Sequence, residues 1–109
     1  KLFENIKIQL EENEKVKSAK VTKSPTTIVY VEIEFVDETK MDNAKKIAES
    51  IIELFSEDEL AVYDIEFTIN TLSTSKVQGY TLKGARNANG SGSVVWGNYN
   101  IEKESSESK

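Results

Sequence analysis

Neither cysteine nor histidine occurs in the 109 residues of this chain. Without cysteine there is no disulfide, no thiolate metal site and no thiol nucleophile, and the composition suits either a reducing compartment or an export route that avoids unpaired thiols. Without histidine the chain lacks the commonest general base near neutral pH and the commonest zinc ligand. Enzyme chemistry is therefore disfavoured, no metal site is expected and no cofactor is called for. The 14 basic residues are outnumbered by 19 acidic ones, for a net charge of −5, and one of them is an arginine, Arg86. Phosphate backbones need clustered Lys and Arg, so nucleic acid is an unsuitable partner. No apolar run approaches the roughly 20 residues that span a bilayer, and no signal-peptide core is visible. The first residue is Lys1 rather than Met, so we expect a processed or truncated piece of a longer chain.

What is present is alternation. From Thr26 to Val36, Val29, Val31, Ile33 and Phe35 interleave with Tyr30, Glu32 and Glu34; from Tyr63 to Asn70, Ile65, Phe67 and Ile69 interleave with Asp64 and Glu66. Side chains along a strand point alternately to opposite faces, so each run predicts a strand packed on one side and wet on the other. Helical spacing appears twice. Leu2, Phe3, Ile6 and Leu10 predict an amphipathic helix over residues 1–14, and Met41, Ala44, Ala48, Ile51 and Phe55 predict a second one. Thr39 stands three residues before Asp42 like a capping box, and Ser56-Glu57-Asp58-Glu59 is expected to close that helix. A short strand over 17–23, with Ala19 and Val21 on one face, leads into the Ser24-Pro25 turn. Strands are further expected over 61–70, 77–83 and 93–96. A long glycine-bearing loop over 84–92 separates the last two.

The resulting αββαββ order, with one extra hairpin strand, predicts an α+β two-layer sandwich: a mostly antiparallel sheet with both helices on one face. A single domain over 1–101 is expected, which at this length buries roughly 65% of the surface of its unfolded chain. Residues 102–109 contain nothing apolar and are expected to be a disordered tail.

Two candidate surfaces emerge. If the two alternating strands are neighbours, Glu32, Glu34, Asp64 and Glu66 share the open face of the sheet, where carboxylates about 5 Å apart repel and favour a basic partner. The competing reading is a solvated face neutralised by lysines such as Lys20 and Lys83. Tyr80, Trp96 and Tyr99 gather near the C-terminal hairpin, either as a binding surface, since such side chains are enriched at interfaces, or as a cap on the core. Other motifs are weaker. Asp37, Glu38 and Asp42 lack the glycine and spacing of a calcium loop, and Gly90-Ser91-Gly92-Ser93 runs into a strand instead of the Lys-bearing helix of a phosphate loop.

The segment Gln78-Gly79-Tyr80-Thr81-Leu82-Lys83 followed by Val94-Val95-Trp96 resembles the ends of small uncharacterised envelope lipoproteins of low-GC Gram-positive bacteria. The order of elements also resembles BON-type and ring-building envelope modules. These resemblances imply a non-catalytic, extracytoplasmic interaction or structural domain with a protein partner, meeting the membrane only through a tether upstream of Lys1. A small cytosolic regulatory or ligand-sensing domain is the alternative.

Overall fold

The computed structural model describes residues 1–90 and 92–97. The expected tail from residue 102, the domain end at 101 and Tyr99 lie outside that range. Helix α1 (Leu2–Glu11) is followed by β1 (Val16–Lys23) and β2 (Ile28–Phe35), then α2 (Met41–Glu49), a 3-10 segment (Ser50–Leu54), α3 (Glu57–Val62), β3 (Asp64–Thr71), β4 (Tyr80–Arg86) and the short β5 (Val95–Trp96). All five strands form one sheet in the order β1-β2-β3-β4-β5. The architecture is the α+β sandwich that the alternation and the helical stripes predict.

Three of the four pairings are antiparallel, and β2 with β3 is parallel. A parallel neighbour cannot be reached by a tight turn, because the chain must first return to the other end of the sheet. The segment from α2 through α3 makes that return. Its register sets Val29, Val31 and Ile33 beside Ile65, Phe67 and Ile69, so the two apolar faces merge into one wall. Against it pack Ile6 and Leu10 of α1, Ala44 and Ala48 of α2, and Ile51, all essentially sealed from water. Tyr80 and Leu82 of β4 extend the same wall.

The crossover departs most from the periodicity. One helix is expected over 41–55, yet α2 stops at Glu49 and the chain tightens into the 3-10 segment before going extended at Phe55. Ser56-Glu57-Asp58-Glu59 opens a helix instead of closing one. The Ser56 N–H donates to Glu59 Oε1 at 2.8 Å while the Glu59 N–H donates to Ser56 Oγ at 3.1 Å, a reciprocal capping box that places three acids at the favourable end of the helix dipole. Thr39 caps nothing: its hydroxyl donates back to the Val36 carbonyl at 2.7 Å, and Lys40 occupies the cap position of α2. Smaller corrections concern ends. Ala61 and Val62 belong to α3, so β3 starts at Asp64; β4 begins at Tyr80 and runs through Gly84 to Arg86, into the segment expected as loop.

Candidate functional site

No described helix covers the second face of the sheet, and the strand registers spell out its side chains in rows. One row runs Lys20, Glu32, Thr68, Lys83; the next runs Thr22, Tyr30, Glu66, Ala85, Val95; a third runs Ser18, Glu34, Asn70, Thr81. The neighbouring strands do bring Glu32, Glu34 and Glu66 onto one face. Parallel register then staggers them, so that Thr68 and Asn70, not further acids, stand beside Glu32 and Glu34.

The face is a mixed one, as the competing reading with Lys20 and Lys83 has it, and not a purely acidic one. Lys20 is the β1 partner of Glu32, and Lys17 Nζ lies 3.6 Å from Glu34 Oε2. With Lys83 two strands away from Glu32, three lysines stand among three carboxylates. Lys17 is the one that the sequence pattern does not single out, because it sits where the β1 register shifts. Exposed pairs of this kind contribute roughly 0–1 kcal/mol each, so they set the character of the surface more than its stability.

Asp64 is in phase with Glu66 on this face, at the end of the sheet, but its carboxylate is engaged. It starts β3, and its carboxylate accepts a hydrogen bond from the Ala88 N–H at 2.7 Å, tying down the loop after β4. Arg86 fastens the same loop from the other side. Its guanidinium is buried and donates to the carbonyls of Gly92, Leu60 and Asn87 at 3.3–3.4 Å. Both residues serve the junction of α3, β3 and β4.

Of the aromatic candidates, Tyr80 belongs to the core side. It is 6% exposed, and its hydroxyl donates to the Thr39 carbonyl at 2.6 Å; burial pushes its pKa up to about 12. Trp96 also lies on the helix side, opposite Gly84. Its ring covers that glycine and meets Phe67 with ring centroids 5.7 Å apart, and its indole N–H donates to Glu49 Oε2 at 2.6 Å. Strand parity is the reason: Tyr80 and Trp96 share a face with Phe67 and Leu82, not with Glu66. Among the described residues the aromatic on the open face is Tyr30, which the alternation had already put in phase with Glu32.

Among the described residues, shallow depressions mark this face. One, of about 510 Å³, is lined by Tyr30, Glu32, Glu66, Thr68, Lys83 and Val95; another, of about 490 Å³, by Ser18, Lys20, Glu32, Glu34, Thr68 and Asn70. Glu32 and Thr68 line both. Val95 is 74% exposed, an apolar side chain beside charged ones. Such a surface offers carboxylate acceptors, ammonium donors and an aliphatic and aromatic wall, which suits a polar partner with some apolar area. Among the described residues no cluster of three or more carboxylates could hold a metal ion.

Comparisons with protein-family models, with curated proteins and with solved structures found no match.

Proposed function

We propose that this chain is a non-catalytic interaction domain of the cell envelope that meets a protein partner through the open face of its sheet, around Glu32, Glu34 and Glu66. The observation that carries this reading is that none of the described helices covers this face. A five-stranded sheet packed on one side presents a rigid array of ionic and hydroxyl side chains with Tyr30 and Val95 among them, while most other apolar residues of the strands pack against the helices. The lack of histidine and cysteine in the chain supports a binding role over a catalytic one. The envelope assignment draws on the resemblance carried by Gly79-Tyr80 and Val94-Val95-Trp96.

Photo-crosslinking tests the surface. A crosslinking residue at Thr68, at the centre of the open face, is expected to capture a partner in whole cells, and one at Lys46 on α2 is not. Adding Glu32→Lys and Glu66→Lys should reduce capture, most clearly at low ionic strength, where charge steering is strongest. Adducts from Lys46 alone would move the interface to the helical layer. Fractionation of the full-length product tests the location, with the envelope fraction expected. Recovery in the cytosol would favour the ligand-sensing alternative, for which the depression at Tyr30, about 510 Å³, lies in the size range of small-molecule sites.

A further inference from the structure

The outer edge of β1 offers a second surface, and the hydrogen-bond phase of the β1–β2 hairpin defines it. The Ser24 N–H donates to the Ile28 carbonyl at 2.9 Å, and antiparallel pairs alternate between bonded and non-bonded positions. Thr22, Lys20 and Ser18 therefore turn their backbone groups toward β2, whereas Val21, Lys23 and Ala19 turn theirs outward. Ala19 displays that phase directly: its N–H donates away from the sheet, to Glu11 Oε2 at 3.3 Å. Among the described residues no hydrogen bond engages the outward N–H of Val21 or Lys23.

An edge whose outward N–H groups at Val21 and Lys23 are open invites pairing, and its side chains select what can pair. Lys15, Lys17, Lys20 and Lys23 fall within nine residues that contain no acid. Two copies joined edge to edge would crowd lysine against lysine, which is how edge strands resist self-association. The same lysines favour a strand that carries acids. On its inner edge β1 already holds one: β2 sets Glu32 opposite Lys20 and offers Glu34 to Lys17, while Val31 and Ile33 alternate with them toward the core.

We propose that the outer edge of β1 takes up an extended segment of another protein in which acidic and aliphatic residues alternate, adding a strand to the sheet, with Glu11 as the internal ligand that this segment displaces. Strand addition gains affinity from main-chain hydrogen bonds and specificity from alternate side chains. Glu11 stands where the first carbonyl of the incoming strand would sit. Its carboxylate is held there by Lys7 Nζ at 2.9 Å, and the bonds from Lys7 and from the Ala19 N–H keep its pKa below the ordinary carboxylate value. This surface adjoins the open face and shares Lys17 and Lys20 with it, but its outward backbone groups belong to the edge alone.

The test uses the isotope-labelled chain and a capped peptide with the sequence of residues 29–35, Val-Tyr-Val-Glu-Ile-Glu-Phe. Peptide binding is expected to shift the Val21 and Lys23 amides and slow their exchange, with Thr68 and Lys83 unaffected. Replacing both peptide glutamates by lysine should weaken binding about tenfold, as the loss of two exposed ion pairs implies. Glu11→Ala should tighten binding by removing the competitor. Val21→Pro should abolish it with the fold kept, because proline is tolerated where an edge N–H faces outward and cannot donate there. Undiminished binding by Val21→Pro, equal binding of the lysine peptide, or shifts confined to the open face would overturn the proposal. Unchanged affinity in Glu11→Ala would remove the role given to Glu11.

Discussion

Tyr80 and Gly84 show how single side chains join the two layers. The Tyr80 hydroxyl ties β4 to the Thr39 carbonyl between β2 and α2, and burial raises its pKa from 10.0 to about 12. A raised pKa in the folded state means that the native protein holds the proton more tightly. The associated stability is complete below pH 10 and is lost as pH rises from about 10 to about 12. Two pH units correspond to about 2–3 kcal/mol, so urea unfolding across this window should show wild type losing that much more stability than Tyr80→Phe. Parallel profiles would mean that the hydroxyl ionises freely. At Gly84 a Cβ would lie 2.5 Å from Cε3 of Trp96, so the ring must shift to admit it. Gly84→Ala should cost about 1–3 kcal/mol, the range for overpacking. Trp96 fluorescence should shift to longer wavelength as the indole leaves Phe67 and Glu49.

At the scale of elements, β2 and β3 carry the core. Phe35 and Phe67 are 0% and 1% exposed, and each fills the wall facing the helices. Either one replaced by alanine should cost about 3–5 kcal/mol in a denaturant titration, a large part of a small domain's total. A loss under about 1 kcal/mol would mean the faces are reversed. These strands were legible because a run of seven or eight alternating residues admits only one phase. The crossover was not. Its apolar stripe from Met41 to Phe55 keeps helical spacing through a segment that is only partly α-helical, and a local contact opposes it: the Ser56–Glu59 box needs extended backbone at Ser56, and Phe55 before it is extended as well. β-Branched Ile51 and Ile52 add little helical preference against it. In residues 77–86 the apolar signal is thin, and Gly84 reads as a loop until Trp96 is seen to fill the space above it.

For the whole molecule, a core of aliphatic and aromatic residues without cysteine or histidine predicts a fold that needs no metal. Thermal unfolding should be the same with and without EDTA, and a loss of several degrees on chelation would point to a carboxylate site holding a cation. Glu32→Lys with Glu66→Lys should leave stability nearly unchanged, since exposed substitutions away from buried features usually shift it by less than about 0.5 kcal/mol each. That pair of variants therefore reports on binding separately from folding.

Composition and period by themselves determined that this chain builds an α+β sandwich and which face of β2 and β3 is buried, because both follow from local spacing. They also determined that Glu32, Glu34 and Glu66 point to water. Only the tertiary structure decided what surrounds those acids. The β1 and β4 registers bring Lys20 and Lys83 onto their face, and the Ala88 N–H engages Asp64. Tyr80 and Trp96 are likewise assigned to the core side by the registers of β4 and β5. Strand neighbours are fixed by long-range pairing, which a local pattern does not encode, and the charge of a surface is a property of neighbours.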